Sequence, residues 1–259
     1  MVDNRRRSNV IPLFSNSASR RGVHPVVEHF MHYFEPIPVT DSHQQQQCYA
    51  LRHQVYCHEL GFEPRRDNGE ESDSYDEYAR SVMVNHAPSG QLAGCIRIIC
   101  PDNDQQLLPL ERLYAATEGA LSIQPSTLPR DSICELSRIA ISPLFRRRTA
   151  DSHPGAATGV IDASAYGDLE VRCFPLLAMG LYLSAVAQCC QLKRQHAFAM
   201  MEQSLVSSVE QAGLTLEQIG EWRDYHGQRA PFLISPMAPN RHSDGLRSLQ
   251  QAIEAALSG

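Results

Sequence analysis

Three short stretches of this sequence are unusually rich in ionisable residues placed beside apolar strands. The first is Leu51-Arg52-His53-Gln54-Val55-Tyr56, leading into Leu60-Gly61-Phe62. The second couples Asp73-Ser74-Tyr75-Asp76 to Gly94-Cys95-Ile96-Arg97 downstream. The third is Cys134-Glu135-Leu136-Ser137-Arg138-Ile139-Ala140-Ile141-Ser142, which runs on into Arg146-Arg147-Arg148. Burying an unpaired charge is costly, so Arg97, Glu135 and Arg138 must pair or face a cleft. Taken singly, each reads as part of a structural ion-pair cluster. As chemistry, a half-buried carboxylate such as Glu135 has its pKa raised towards neutrality and suits a proton acceptor. The Asp73/Asp76 pair suits an ammonium group, against the blander reading of a solvated acidic loop. The run Arg146-Arg147-Arg148 suits a phosphate, a solvated basic turn or a docking patch for an acidic carrier protein.

These groups need elements to position them. Tyr33–Val39 reads as an edge strand, broken by Pro36 and Pro38. Thr40, Asp41 and Ser42 supply capping chemistry for a helix to about Glu59, ended by Gly61. Residues 63–79 read as an acidic loop with little room for core residues. Arg80–His86 and Gln91–Cys100 form a hairpin around Pro88-Ser89-Gly90, and Ile133–Ser142 is a central strand, apolar on both faces. Regular alternation puts Glu135 and Arg138 on opposite faces, so a shared cleft requires a β-bulge between them or just after. That bulge is expected to free a backbone N–H near Ile139–Ile141. Beyond it come a flexible insertion at about 149–168, a long helix Val171–Leu192, a strand His196–Met201 and a helix to Gln211. Strands Leu216–Tyr225 and Gln228–Ser235 follow, and then a final amphipathic helix with Leu246, Leu249, Ile253 and Leu257 on one face. The order predicts one mixed α/β domain over 32–236, a basic disordered leader over 1–31 and a C-terminal helix over 237–259.

Composition narrows the classes. The 259 residues are 42% hydrophobic with a net charge of −6, which excludes a mainly disordered chain and argues against generic nucleic-acid binding. No run approaches the roughly eighteen apolar residues of a membrane span, and Pro12 interrupts any signal-like stretch beside Arg5, Arg6 and Arg7. That basic leader leaves weak attraction to an anionic membrane surface as the sharper alternative. The eight cysteines include no CxxC pair and read as buried reduced thiols of a cytoplasmic protein, without a metal. His53 and His58, five apart, are expected on different sides of one helix. His24, His29 and His32 have no ligand geometry, and Met200 and Met201 read as core. GxSxG, GxGxxG and P-loop motifs are absent.

The order Arg52-x-x-x-Tyr56, Leu60-Gly61-Phe62, Asp73-x-x-Asp76, Gly94-x-x-Arg97 and Glu135-x-x-Arg138 resembles the signature of acyl-homoserine-lactone synthases, members of the GNAT acyltransferase fold. Tyr33-Phe34-Glu35, Leu51 through Cys57, Glu59 through Phe62, Leu108-Pro109-Leu110-Glu111 and Ser137-Arg138 through Arg148 more closely resemble the PEP-CTERM/exosortase system-associated acyltransferases, a bacterial group related to those synthases. The resemblance covers roughly residues 32–236. It implies a GNAT-like mixed central sheet flanked by helices, and transfer of an acyl group from acyl-CoA or an acyl carrier protein to a small amine, with no tightly bound cofactor. Glu135, Ser137 and Arg138 would then be catalytic. Arg52, Tyr56, Phe62, Asp73, Asp76 and Arg97 would bind the acceptor, and Ile139, Ile141, Arg146, Arg147 and Arg148 the donor.

Tyr56 and Phe62 stand where the lactone synthases have Phe and Trp. These departures fall where those enzymes shape their amino-substrate pocket and leave acyl transfer intact. Two other readings stand beside this one: a true lactone synthase using S-adenosylmethionine, and a non-catalytic GNAT-fold module binding an acyl carrier or lipid. An enzyme needs the whole set of six charged residues; a binder does not. Acyl transfer itself needs a donor cradle, an oxyanion stabiliser and a proton acceptor.

Overall fold

The computed structural model describes residues 25–116, 120–146, 173, 176–211, 214–236 and 244–258. Its centre is one mixed sheet in the order β1-β2-β3-β4-β5-β8-β6, with β7 paired to β8. The strands are β1 (Phe34–Pro38), β2 (Ala79–His86), β3 (Gln91–Ile99), β4 (Ile133–Ile141), β5 (His196–Glu202), β6 (Leu216–Gln218), β7 (Arg223–Asp224) and β8 (Gln228–Ile234). The proline-bearing β1 lies at the edge, where missing amide donors leave no gap in the ladder. Every pairing is antiparallel except β4 with β5, which is parallel.

Among the described residues six α-helices flank the sheet: α1 (Pro25–Tyr33), α2 (Ser42–Arg52), α3 (Pro109–Ala115), α4 (Leu177–Gln191), α5 (Gln203–Gln211) and α6 (Asp244–Ser258). One face carries the main core. There α4, buried along most of its length, packs with Phe30 of α1 and with Leu246, Leu249, Ile253 and Leu257 of α6 against Val82, Ile96, Ile98 and Leu136. The opposite face carries two smaller clusters, one under α2 around Val55, Met83 and Cys95, the other under α3 around Ile99, Leu110 and Ile133.

Several sequence expectations are corrected here. Pro25–Tyr33 is helical, not part of a disordered leader, because Phe30 is fully buried where α4 has Gly180; a Cβ there would meet the Phe30 ring at 2.5 Å. The apolar face of the C-terminal helix packs into the main core. Leu108–Glu111 is the start of α3: Pro109 opens it and the Glu111 carboxylate accepts from Leu108 N–H at 2.7 Å. Residues 63–79 are more than a solvated loop, since they include a short 3-10 helix, Ser74–Tyr78, and the fully buried Glu71.

Beyond Arg52 the helix widens into a π-helical segment, His53–Glu59. Residues five apart then share a face, so His53 and His58 meet ring to ring at 4.8 Å. The last expected strand pair is shorter than read, with β6 and β7 separated by residues 219–222. The 149–168 insertion, the leader before residue 25, and Arg147 and Arg148 lie outside the described residues. All eight cysteines are free thiols.

Candidate functional site

The site begins with an irregularity in β4. Cys95 pairs with Ala140, whereas Arg97 pairs with Ser137, so two residues, Arg138 and Ile139, oppose Ile96 alone. This is the expected β-bulge, and Arg138 takes a left-handed conformation to make it, with φ 51°. Before the bulge Leu136 faces the α4 core; after it Ile139 and Ile141 do. Arg138 is turned to the other face, beside the Tyr56 ring at 5.2 Å, and so shares a cavity wall with Glu135. Gly94 of β3 allows the close approach of neighbours, because a Cβ would lie 3.0 Å from the Ala140 carbonyl oxygen and 2.9 Å from Leu181.

A second irregularity lies on the other flank. Pairing of β4 with β5 runs only from Ile133 to Leu136, opposite His196 to Ala199, while β5 continues along β8 to Glu202. Past Leu136 the two strands part and the sheet opens. A cavity of about 800 Å³ fills the gap. On the α4 side it is lined by Ile141, Ala178, Tyr182 and Leu205; on the other side by Asp73, Tyr75, Arg97, Leu110, Arg112 and Glu135. It therefore passes through the sheet, apolar at one end and charged at the other.

At the charged end three guanidinium groups interlock with four carboxylates. Arg52 donates to Glu71 at 2.6 Å and through two nitrogens to Asp76 at 2.7 and 3.0 Å. Arg97 donates to Asp73 at 2.6 Å and to Ser137 Oγ at 3.1 Å, and lies 3.0 Å from Asp76. Arg138 donates to Glu71 at 3.2 Å and Glu63 at 2.5 Å. Formal charge within this set is one negative in excess of balance. Asp76 also accepts from Asp73 N–H at 2.8 Å, and its arginines hold its pKa below the usual carboxylate value despite burial.

Glu135 differs. Among the described residues its carboxylate accepts a single hydrogen bond, from Leu110 N–H at 2.9 Å, and burial raises its pKa to about 8 against the opposing effects of that bond and of Arg97. At neutral pH most of it is protonated, and it takes up a proton readily when ionised.

The sequence-derived residues thus sort by position. Tyr56, Asp73, Arg97, Glu135, Ser137, Arg138, Ile139, Ile141 and Arg146 line the cavity. Arg52 and Asp76 stand behind its wall as the support of the Asp73 turn, because their hydrogen-bonding groups are spent on each other and on Glu71. Phe62 is outside the lining and stacks on His226 at 4.5 Å, since Gly61, at φ 64°, turns the chain away from α2. Arg146 is no free member of a basic run: it is buried and ion-paired to Glu59. The Tyr56 hydroxyl donates to the Ile139 carbonyl at 2.7 Å, bracing the bulge. Met200, read as core, lines the cavity, while Met201 is buried in the core.

Sequence reading missed Glu71, Glu63, Arg112 and Tyr182. Glu71 had one signal, its place two residues before Asp73 in a stretch already marked as acidic. No cluster of metal-ligating type occurs among the described residues. Among them no helix is long and apolar enough to cross a membrane.

Residues 51–153 match the family model of the acetyltransferase (GNAT) domain, a span that contains every charged residue of the cluster. Comparison with curated protein sequences finds no match. Among solved structures, the fold is similar to that of BjaI, a CoA-dependent acyl-homoserine lactone synthase solved with SAM and isopentyl-CoA. That match has a TM-score of 0.56 and 16% identity, over 85% of this chain and 89% of that one. TofI, solved in a ternary complex with an inhibitor and MTA, matches at TM-score 0.56 and 16% identity over 85% and 99%. The AHL synthase LasI matches at TM-score 0.52 and 18% identity over 80% and 91%. The chain has the GNAT fold and carries a GNAT acyltransferase domain.

Proposed function

We propose that the protein is an N-acyltransferase that moves an acyl group from a thioester, acyl-CoA or acyl carrier protein, to a small amine-bearing acceptor in the cytoplasm. The observation that carries this reading is the cavity through the parted β4 and β5, apolar on the α4 side and charged around Asp73 and Glu135. An acyl chain suits the first end and an ammonium the second. The thioester carbonyl then lies along the flank of β4 beyond Leu136, which has no strand partner there, so its backbone N–H groups are available to an oxyanion.

In this mechanism Asp73 holds the amine; its side chain is 25% exposed, whereas that of Asp76 is only 6% exposed. Ionised Glu135 takes the amine proton, directly or through one water, as the nitrogen attacks the thioester carbon. Collapse of the tetrahedral adduct breaks the C–S bond, and the proton leaves with the thiol. Arg97 and Arg138 fix Asp73 and Ser137 in place, and Arg147 and Arg148 are assigned to the donor's phosphate or carrier. A place among the PEP-CTERM/exosortase system-associated enzymes rests on the sequence motifs alone.

The test is incubation with acyl-CoA or acyl carrier protein and a panel of amines while free thiol is followed. Amine-dependent thiol release is the expected result. Release only with S-adenosylmethionine would assign the chain to lactone synthesis, and binding of the donor without release under any condition would leave a non-catalytic acyl-binding module.

A further inference from the structure

The arginines of the cluster are committed to carboxylates, yet another arginine on the cavity wall is not. Arg112, on α3, lines the same cavity as Asp73, Arg97 and Glu135 and is exposed. Among the described residues its guanidinium has no ion pair; it lies over the Tyr75 ring, 5.3 Å from the ring centroid, with Tyr78 also in its field. Tyr75 also has Arg97 at 5.9 Å, so one aromatic ring is flanked by a satisfied arginine and an unsatisfied one. The neighbouring acid does not quench Arg112, because Glu111 is turned to Arg130, at 2.9 Å, and to the α3 cap. Glu135, the carboxylate sharing that wall, is largely neutral at pH 7.

Across the Tyr75 ring the cavity therefore presents a partly open carboxylate, Asp73, and an open guanidinium, Arg112. A guanidinium fork pairs with a planar carboxylate through two parallel hydrogen bonds. We infer that Arg112 is a specificity-determining residue that recognises a carboxylate on the acceptor, so that the acceptor class is an amine carrying its own carboxylate, such as an α-amino acid. The inference rests on the proposed acyl transfer and deepens it. The backbone that positions Arg112 is rigid. Pro109 and the Glu111 cap fix the start of α3, and Leu110 N–H ties it to Glu135 of β4. Helix α3 thereby carries Arg112 and, through Leu110 N–H, holds the proposed proton acceptor Glu135 of β4.

The experiment compares wild type, Arg112→Gln and Arg112→Lys on α-amino acids, each beside its own α-carboxamide. One readout is acceptor KM from thiol release; the other is direct binding of the same probes by calorimetry. Wild type is expected to prefer the acid over the amide. Arg112→Gln is expected to weaken the acid by about tenfold or more while leaving the amide and the donor KM unchanged, since a charge-assisted hydrogen bond is lost only with the acid. Arg112→Lys is expected to restore part of the preference. An acid-to-amide ratio that is the same in wild type and Arg112→Gln overturns the inference and leaves acyl transfer standing. Acid-selective binding that disappears in Arg112→Gln, without thiol release in any sample, upholds the carboxylate site and removes the transfer reading. Neither selective binding nor release removes both.

Discussion

At the scale of single residues, the two carboxylates nearest the proposed reaction have opposite electrostatic environments, and each gives a distinct prediction. Glu135 is buried with one backbone donor, and its pKa is raised to about 8. If it is the base, kcat rises with pH and levels off above about 8, and Glu135→Gln loses on the order of 10²- to 10⁴-fold in rate with a flat profile. Stability has its own sign. The folded state holds a proton between the ordinary carboxylate value of 4.5 and about 8 that the unfolded state has released, so stability declines as pH rises through that window. Melting curves of wild type and Glu135→Gln are expected to move apart in favour of the variant as pH goes from 5 to 8.5. Asp76 is held by two arginines and a backbone N–H, so Asp76→Asn is expected to cost about 3 kcal/mol in chemical denaturation while leaving transfer measurable at low temperature. Asp73→Asn is expected to do the reverse, with modest destabilisation and a raised acceptor KM. Sequence alone paired Asp73 with Asp76 as equals, because spacing does not tell which oxygen of which carboxylate is already taken.

At the scale of elements, the informative feature is that β4 is not a regular strand. Its bulge was legible from the sequence, because Glu135 and Arg138 stand an odd number of residues apart and regular pleating forces them onto opposite faces. The expectation that the bulge frees a backbone N–H is joined by something spacing cannot show, the separation of β4 from β5 beyond Leu136. The π-helical turn after Arg52 was also hidden, since its sequence has the same apolar spacing as an ordinary helix end; it is why the five-residue spacing of His53 and His58 misled. Helix α3 was hidden by its brevity, and Glu71 by lying in an acidic stretch where burial is not expected. The left-handed Arg138 gives a measurable consequence. Arg138→Ala and Arg138→Gly both remove the pairs to Glu63 and Glu71, but only glycine adopts φ 51° without strain. Arg138→Gly is therefore expected to be the more stable of the two by about 1 kcal/mol in denaturant midpoints, whereas a flattened strand would give alanine the advantage.

At the scale of the whole molecule, the sheet is both scaffold and passage. The alternation of strands and helices, and the apolar runs of α4 and α6, made the layered architecture readable, since layering follows from which faces must be buried. A passage through the sheet leaves no periodic mark, because it consists of backbone groups that fail to pair. For the proposed acyl transfer its consequence is a division of labour, with the acyl chain assigned to the α4 side and the amine to the α3 side, and this assignment is what the last prediction tests. Ala178 lies on α4 at the apolar end of the cavity, far along the chain from the charged cluster. Enlarging it to Phe occupies space that a long acyl chain would need and leaves Asp73, Arg97 and Glu135 untouched. Ala178→Phe is expected to lower kcat/KM for long-chain donors by about tenfold or more, as overpacking on the order of 1–3 kcal/mol implies. Short-chain donors and the acceptor KM are expected to change little. Thermal denaturation of the same variant guards against a general loss of fold, which would depress all donors together. A donor-length profile identical to wild type would show that the chain runs elsewhere, and a raised acceptor KM with unchanged chain-length preference would exchange the roles of the two ends.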